Sequence, residues 1–328
     1  MVEGISTIIL NYNGKEVLQK CLPSVIKSLE KVKKKSETIV VDNGSLDDSV
    51  QFLKSSFSSV KVVELSSNKL CAEGYNAGIY EAQYDHLFIL NNDIEVEENC
   101  LVNLIDHFED NPKLFAVTGL ALYYYNKKTI DSGVRIGEFK RGIFEVYGKY
   151  RGEENKGQIN QNFPMLFAEC IALFDKNKII ELGGLDFLFP YNWQFADLSY
   201  RAWKRGYYSI VEPKALMYHM ESADFKKAFT DRKRFYEGEK ERFLFMWKNF
   251  SDIDILIKHL LLIPLNLMIQ GIWRYRKYFL TYLFSFFAAL KHFPMIYKKR
   301  MLERRFTKRT DQEVFESLNC SYERLKIN

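Results

Sequence analysis

Residues that mark a fibrous, disordered or cross-linked chain are scarce in this sequence. Its 328 residues include only 17 Gly and 7 Pro, which excludes a collagen-like or low-complexity chain. The five cysteines lie far apart without a C-x-x-C pair, which argues against a disulfide framework or a zinc site and favours a reducing compartment. A hydrophobic share of 47% is typical of a folded chain, and the length corresponds to about two domains.

The sequence also has little net charge and no long apolar run near its beginning. A formal net charge of +5 is too small by itself to indicate nucleic-acid binding. The first four residues carry no positive charge, and the apolar run Ile8-Ile9-Leu10 is too short for the core of a secretory signal peptide. We therefore expect a cytoplasmic protein.

Positive charge is concentrated towards the end of the chain. Residues 274–309 contain eleven Lys and Arg and one acidic residue, a net of +10, so the other residues sum to 5 − 10 = −5. The densest apolar stretches, 256–273 and 279–290, lie in the same part of the chain. The first is interrupted by polar residues and Pro264, and the second is shorter than the ~20 apolar residues that a membrane-spanning helix needs.

These stretches are typical of amphipathic helices that lie on an anionic membrane surface, which for a cytoplasmic protein is the inner face of the cell membrane. The alternative is that they pack against the body of the protein. Interleaved Arg and Tyr residues also suggest a nucleic-acid surface, but the segment is too apolar for a solvated phosphate-binding face, so we expect no nucleic-acid partner.

The first hundred residues alternate between strand and helix patterns. Short apolar runs end in Asn/Asp turns and are separated by segments with apolar residues at helical spacing. This order predicts an α/β fold with a mainly parallel, doubly wound sheet, in which ligands bind beyond the carboxyl ends of the strands. The polar turns at 11–13, 42–45 and 91–93 should therefore meet in one cleft. The predicted strands are 6–10, 38–41, 60–65 and 86–90, and the predicted helices are 15–34, 47–53 and 75–82.

The composition changes after residue 101. Residues 123–160 are rich in Tyr, Lys, Gly and Glu and show strand-like pieces without a helical pattern. We expect a variable loop or hairpin region there that shapes an acceptor pocket. A helix over 197–205 and a short strand ending near Pro213 are predicted to follow.

Five motifs follow one another over residues 5–222: STIILNYNG, VVDNGSLDDS, ILNNDIEV, GGLDFLF…ADLSYRAWKRGY and EPKALMYH. In this order they resemble the family 2 glycosyltransferases, especially the rhamnosyltransferase-like branch. The resemblance implies a GT-A fold over 1–225, with a nucleotide-binding half to about 110 and an acceptor half from 111, and it leaves 226–328 as a basic helical extension. It also implies inverting transfer of a sugar from a dTDP-, UDP- or GDP-linked donor to a saccharide or lipid-linked saccharide during surface polysaccharide synthesis.

The resemblance also implies a donor site and a metal site. A divalent Mg²⁺ or Mn²⁺ would be held by Asp93 and His219, where it neutralises the diphosphate leaving group and needs only one or two protein ligands. The alternatives are an Asx turn at Asp42, a helix cap at Asp93 and a structural role for His219. The residues that match the family's nucleotide-binding positions are Tyr12, Asp42, Asn68, Asn76, Asn91, Asn92 and Asp93.

One departure from the family concerns the catalytic base. An inverting transfer needs a group that takes the proton from the acceptor hydroxyl, and in the family this is the aspartate of an E-D pair. Counted without gaps from Asp186 to Asp197, that pair falls on Gln194 and Phe195, neither of which acts as a base. The candidate bases are then Asp197, Asp186 and Glu169. The alternative is a catalytically degenerate relative that binds nucleotide or serves as a scaffold in membrane glycan assembly.

Overall fold

The computed structural model describes residues 2–155, 159–220, 230–269, 272 and 275–318. Most strands form one ten-stranded sheet with the order β10-β12-β6-β11-β4-β1-β2-β3, with β5 beside β12 and β7 beside β6, whereas β8 and β9 form a separate hairpin. The strands are Gly4–Asn11 (β1), Lys35–Asp42 (β2), Lys61–Glu64 (β3), His86–Asn91 (β4), Ile94–Val96 (β5), Leu114–Tyr123 (β6), Ile130–Ser132 (β7), Arg135–Lys140 (β8), Ile143–Gly148 (β9), Phe163–Met165 (β10), Ile171–Asp175 (β11) and Tyr208–His219 (β12).

Helices cover both faces of the sheet and then form the end of the described chain. They include short 3-10 helices at Asp106–Phe108 and Arg276–Tyr278. The α-helices are Lys15–Val32 (α1), Ser49–Ser56 (α2), Leu70–Glu81 (α3), Cys100–Ile105 (α4), Lys176–Glu181 (α5), Gln194–Lys204 (α6), Asp231–Asn249 (α7), Ile253–Ile269 (α8), Phe279–Lys291 (α9), Phe293–Glu303 (α10) and Asp311–Ser317 (α11).

The predicted α/β class with a mainly parallel sheet is confirmed. Strand β1 pairs in parallel with both β2 and β4, and β2 pairs in parallel with β3. Alternate side chains of β1 enter opposite layers: Ile5 and Ile9 join the cluster that contains Leu18 of α1, and Ile8 joins the cluster that contains Tyr75 of α3. A strand buried on both faces reads as a continuous apolar run, which is why the sequence pattern located it.

The acceptor half contains the expected hairpin and an unexpectedly long strand. Strands β8 and β9 are joined by Arg141 and Gly142, whose φ angles of 52° and 78° suit a tight hairpin turn. The predicted short strand ending near Pro213 was wrong in length, because β12 continues to His219. Its pairing with β6 shifts register between Val211 and Leu216, and this irregularity accommodates a proline that has no N–H to donate.

The predicted helical extension follows the sheet, beginning with α7. The buried face of α7 places Phe245 against Phe144 of the hairpin and Tyr200 of α6, so this helix shares the core of the sheet. Within the described ranges, no single helix is long and apolar enough to cross a membrane. The pair Arg276–Lys291 and Phe293–Glu303, bent by 62°, meets that length and composition only when both parts are taken together.

Candidate active site

The three polar turns meet at the carboxyl ends of the strands, as predicted. The Asn11 amide at the end of β1 donates to Asp42 Oδ1 at the end of β2, at 3.0 Å. Asn92, after β4, donates to Asn11 Oδ1 at 2.8 Å. Adjacent parallel strands bring these ends together, so turn residues that are far apart in sequence become direct neighbours.

A cleft of about 520 Å³ opens above these turns. Of the residues predicted to bind nucleotide, Tyr12, Asn68, Asn91, Asn92 and Asp93 line it. Asn91 is further oriented by the Tyr75 hydroxyl, which donates to its Oδ1 at 2.6 Å. The cleft has room for a nucleotide and a sugar, because ligand pockets of this kind measure roughly 300–1,000 Å³.

Asp42 is buried beneath the cleft. Its Oδ1 accepts from Asn11, and its Oδ2 accepts the backbone N–H of Ser45 at 2.9 Å, which is the geometry of an Asx turn. The carboxylate therefore fixes the turn after β2 and holds two of the three strand ends together. Its contact with a base stays a prediction.

Asn76 does not lie in the cleft, and its assignment to the nucleotide site was wrong. Its amide donates to the carbonyl of Leu185 at 2.8 Å, and its Oδ1 accepts the N–H of the same residue at 2.9 Å. Both polar groups of this buried side chain are thus engaged by one backbone unit. Asn76 joins α3 to the loop that leads towards α6.

The backbone of the loop after Asn68 is strained at Leu70. Leu70 has a φ of 62°, in the left-handed region that favours glycine. Asn43 holds this loop: its Oδ1 accepts the Lys69 N–H at 2.8 Å and its amide donates to the Leu70 carbonyl at 3.1 Å. Leu70 consequently lines the cleft in a strained conformation.

Asp93 and His219 lie together in the cleft, and a second carboxylate, Asp131, completes the group. His219 Nε2 is 3.3 Å from Asp93 Oδ2, and its Nδ1 is 2.6 Å from Asp131 Oδ2. Sequence reasoning missed Asp131, because a lone aspartate in a three-residue strand gives no signal. Pairing of β7 with β6, which lies beside β12, brings it to His219.

The two carboxylates control the charge of the imidazole. Burial disfavours protonation of His219, but hydrogen bonds to Asp131 and Asp93 outweigh burial and raise its pKa to about 10. Burial likewise opposes ionisation of Asp131, yet the hydrogen bond from His219 lowers its pKa to about 2. Without a cation, the group is therefore an ion triad with a protonated imidazole at its centre.

The same residues fit a hard divalent cation that brings most of its own ligands. An imidazole has two nitrogens on opposite sides, so Asp131 on Nδ1 fixes the tautomer that points Nε2 towards Asp93. The described residues contain no group of three or more His, Cys, Asp or Glu side chains placed to hold a metal ion. Asp93 and His219 would supply two ligands, and the diphosphate and water would supply the others.

Asp197 was predicted as a base, but it is enclosed in a structural ion network outside the cleft. Its Oδ2 accepts from Arg201 at 2.8 Å, and its Oδ1 accepts from Lys248 at 2.7 Å and from Asn249 at 2.9 Å. The residue has no exposed surface. It cannot reach an acceptor hydroxyl, so this prediction was wrong.

Asp186 is engaged in the same network and was also wrongly assigned. Lys248 donates to its Oδ2 at 2.7 Å, and Lys299 of α10 donates to its Oδ1 at 2.9 Å. Burial opposes ionisation, but the two ammonium groups dominate and hold its pKa well below its usual range. Such a carboxylate is a poor proton acceptor.

Glu169 is the predicted base candidate that the structure places in the cleft. Its Oε2 accepts from Arg135 Nε at 2.8 Å and from the Ser132 hydroxyl at 3.3 Å. The side chain is 35% exposed and paired with Arg135. It faces the same space as Asp93.

Comparison with known proteins decides the family. The model of the family described as "Glycosyl transferase family 2" matches residues 6–178. This chain belongs to glycosyl transferase family 2. The match covers more than half of the chain and includes the three strand-end turns and Asp93.

Curated relatives of this family 2 chain are poly-β-1,6-N-acetyl-D-glucosamine synthases. That of Staphylococcus epidermidis RP62A is 36% identical over 187 residues, which are 56% of this chain and 42% of the relative. That of Staphylococcus aureus COL is 26% identical over 242 residues, which are 73% of this chain and 55% of the relative. The chain thus spans about half the length of these relatives.

Solved structures support the GT-A fold for this family 2 chain. GalNAc-T7, crystallised with UDP, GalNAc and Mn²⁺, has a TM-score of 0.55 at 16% identity and covers 79% of this chain and 54% of its own. Staphylococcus aureus TarS has a TM-score of 0.52 at 12% identity and covers 77% of this chain and 41% of its own. At 16% and 12% sequence identity, these structures are similar to this chain in fold alone.

The two positions on which the ungapped count places the family's E-D pair lie at the cleft. Gln194 and Phe195 begin α6 and both line the cleft. Gln194 is 6% exposed, and its buried Oε1 has no hydrogen-bond partner among the described residues. An acceptor atom buried without a partner is costly, so this oxygen is suited to a donor group on a bound substrate.

Glu241 of α7 is a further residue that sequence reasoning missed. Its carboxylate accepts the backbone N–H groups of Tyr191, Asn192 and Trp193, all within 3.0 Å. Burial raises its pKa to about 7, and these three hydrogen bonds only partly oppose that shift. Glu241 holds the loop immediately before Gln194 and so shapes one wall of the cleft.

Proposed function

We propose that this family 2 chain is an inverting glycosyltransferase that moves a sugar from a nucleoside-diphosphate donor to a hydroxyl of a growing surface polysaccharide or its lipid-linked precursor. The observation that carries the proposal is the convergence of three strand-end turns and the Asp93–His219 pair on one cleft. A nucleotide binds at strand-end turns of this kind, and the acid–imidazole pair would meet its diphosphate through a divalent cation.

The donor proposed for the first test is a UDP-linked N-acetylhexosamine. The matched curated relatives are named for an N-acetylglucosamine polymer, and one structural neighbour was crystallised with UDP and GalNAc. The motifs alone leave dTDP-, UDP- and GDP-linked donors open. The dTDP- and GDP-linked donors are the comparison substrates.

Three residues of the cleft are proposed to act on the diphosphate of the donor. Asp131 holds His219 by Nδ1, so that Nε2 and the Asp93 carboxylate face the diphosphate position together. A bound Mg²⁺ or Mn²⁺ would neutralise the charge that develops on the departing nucleoside diphosphate. Mn²⁺ was present in one structural neighbour, and its role here is part of the proposal.

Glu169 is the proposed base. The acceptor oxygen forms a bond to the anomeric carbon, the bond from that carbon to the diphosphate oxygen breaks, and its electron pair leaves with the nucleotide. The acceptor proton passes to Glu169, whose carboxylate is oriented by Arg135 and Ser132. Gln194 Oε1 accepts a hydrogen bond from a substrate hydroxyl or amide beside it.

Nucleotide binding tests the donor site directly. Calorimetry with UDP, dTDP and GDP, each with and without Mn²⁺, should detect metal-dependent binding of UDP by the native chain. Asp93→Ala should abolish the metal-dependent part, whereas Asp106→Ala, a change outside the cleft, should not. Absence of binding to all three nucleotides by folded protein contradicts the donor site.

Transfer from UDP-N-acetylglucosamine tests the base. Glu169→Gln should lower the transfer rate by about 10²–10⁴-fold, the usual contribution of a general base, and leave UDP binding unchanged. Glu138→Gln, a change of an exposed glutamate on β8, is the matched control. Transfer at the native rate by Glu169→Gln would eliminate Glu169 as the base.

A second candidate function rests on the same loop. Gln194 and Phe195 stand where the family carries its acidic pair, and this change favours a chain that binds nucleotide without transferring sugar and serves as a scaffold. Metal-dependent UDP binding without transfer to any offered saccharide would support it. Transfer that depends on Glu169 would exclude it.

A further inference from the structure

Helix α8 turns two polar side chains inward, whereas Asp254 and Lys258 near its start are exposed and pair with each other at 3.7 Å. The buried residues His259 and Asn266 lie on one face, seven positions apart. His259 accepts from Trp247 Nε1 at 2.9 Å and contacts the Gly142 carbonyl through Nδ1 at 2.6 Å, and Asn266 donates to the Arg141 carbonyl at 2.6 Å. The hairpin turn therefore fixes the rotation of α8 through polar contacts.

The opposite face of α8 exposes large apolar side chains. Leu261 is 73% exposed, and its neighbours along the stripe are exposed as well. Intervals of four, three, one, four and three residues place them on one face of the helix. This exposed stripe consists of Ile253, Ile257, Leu260, Leu261, Leu265 and Met268.

Helix α9 repeats the arrangement. It buries Thr281, Tyr282 and Ser285 against α7, with the Ser285 hydroxyl donating to the Tyr236 carbonyl at 3.0 Å. Its exposed stripe consists of Leu280, Phe284, Phe287 and Leu290. A water-facing helix has the reverse pattern, so two adjacent helical segments with inward polar and outward apolar residues indicate an apolar environment outside.

Exposed positive side chains lie before and after the α9 stripe in the sequence. Lys277, Lys291 and Lys298 are exposed and form no ion pair with any described residue. An isologous dimer would bring the same positive residues of two copies together, which costs energy. A lipid surface with negative head groups satisfies both the apolar stripes and the unpaired charges.

A groove of about 530 Å³ runs between α7 and α9. It is lined by the cations Arg232, Lys233 and Lys291 and by the rings of Phe284 and Phe287, which belong to the exposed stripe. Arg232 Nε donates to the Thr281 hydroxyl at 3.0 Å, which fixes the guanidinium at the groove. A groove lined by both cations and aromatic rings matches the phosphate head group and the acyl chains of an anionic lipid.

We propose that the stripes of α8 and α9 insert into the interfacial layer of an anionic bilayer and that the groove between α7 and α9 binds the phosphate of an anionic phospholipid. This inference goes beyond sugar transfer and does not depend on it. It assigns the predicted membrane contact to these two faces and gives Lys291 a specific role.

Cosedimentation of the full chain with vesicles tests the apolar part. The native chain should pellet with vesicles of equal parts phosphatidylcholine and phosphatidylglycerol and much less with phosphatidylcholine alone. The double change Ile257→Asp and Phe284→Asp should weaken partitioning at least tenfold. Ile180→Asp on α5, matched to Ile257 at 43% against 48% exposure, should bind as the native chain does. Equal pelleting of the double variant overturns the proposal.

Replacing lysines inside and outside the groove tests whether it binds phosphate. Removing a basic residue near an anionic surface removes about 1 kcal/mol, or about fivefold in partitioning. Lys291→Gln should reduce partitioning by more than fivefold, because it also removes a direct phosphate contact. Lys277→Gln should reduce partitioning about fivefold, and Lys35→Gln should leave it unchanged. Equal losses for Lys291→Gln and Lys277→Gln overturn the groove as a phosphate site.

Other occupants give different outcomes. Native protein that stays with vesicles after a carbonate wash would span the bilayer and overturn the interfacial placement. Native protein that forms a dimer by light scattering, fails to pellet, and becomes monomeric with Ile257→Asp would show that a second copy covers the stripe. Either result is separable from the nucleotide-binding and transfer assays.

Discussion

The two ends of the cleft are held together by different kinds of contact. At the nucleotide end, Asn11, Asp42 and Asn92 pair with each other across adjacent strand ends. These contacts arise from the register of parallel strands and involve the residues of the turns themselves. This end is therefore complete within the first hundred residues of the chain.

The acceptor end depends on helices that follow the sheet. Lys248 of α7 and Lys299 of α10 neutralise Asp186, and Glu241 of α7 holds the loop before Gln194. The loop's geometry is thus set by residues 48 or more positions away in sequence. The comparison teaches that Asp186, Asp197 and Glu241 at this end stabilise structure and leave Glu169 as the carboxylate that lines the cleft, whereas polar groups at the other end line or support a ligand site.

The variant with the largest expected effect on this comparison is Asp197→Ala, which should lower the free energy of unfolding. Asp197→Ala leaves Arg201 and Lys248 buried without this partner, and breaking a buried pair costs about 3–5 kcal/mol. Urea unfolding should show that loss. Transfer per folded molecule should stay near the native value, because Asp197 does not reach the cleft. If folded Asp197→Asn loses 10²-fold or more of its transfer rate, Asp197 is a base after all. The proposed difference between the two ends of the cleft would then be wrong.

Much of the nucleotide end could be predicted from the sequence, and this follows from its local construction. The turns after β1, β2 and β4 can be recognised by Asn and Asp residues at the ends of apolar runs. A parallel sheet has only one edge where the carboxyl ends of its strands meet. Asn76 was the exception, because its helix position gave no sign that its amide is occupied by Leu185.

The acceptor end could not be predicted in the same way. Asp186 and Asp197 have the residue type of a base, but their partner Lys248 lies on a helix whose docking no local pattern specifies. Asp131 and Glu241 escaped notice for the same reason: each acquires its role from a tertiary neighbour. Residue type indicated possible chemistry, and only packing decided between catalysis and stability.

Glu241 offers a test through pH. Its folded-state pKa of about 7 lies above the ordinary glutamate value of 4.5, so the folded state holds its proton more tightly than the unfolded state does. The free energy of unfolding should therefore fall as pH rises from about 4.5 to about 7, by about 3 kcal/mol in total. Glu241→Gln should remove this slope. A native profile without the slope contradicts the assignment.

Asp131 tests the metal-binding residues with a smaller effect. Asp131→Asn keeps the size of the side chain but removes the charge that orients His219, and changes of this kind cost about 10–100-fold in metal affinity. Titration of UDP binding with Mn²⁺ should show that shift. Asp106→Asn, outside the cleft, is the control. Unchanged Mn²⁺ dependence would mean that Asp131 does not support the cation position.

The smallest expected effect concerns Leu70, an apolar residue of the nucleotide end that is held in the left-handed region. A residue with a Cβ costs roughly 1–2 kcal/mol in the left-handed region, and glycine does not. Leu70→Ala and Leu70→Gly both remove the same apolar contacts, but only the glycine variant removes the strain at φ 62°. We expect Leu70→Gly to be more stable than Leu70→Ala by about 1 kcal/mol in urea unfolding. Equal stability of the two variants would mean that the loop relaxes out of the left-handed conformation, and the turn-built end would then be less firmly fixed than the contacts of Asn43 indicate.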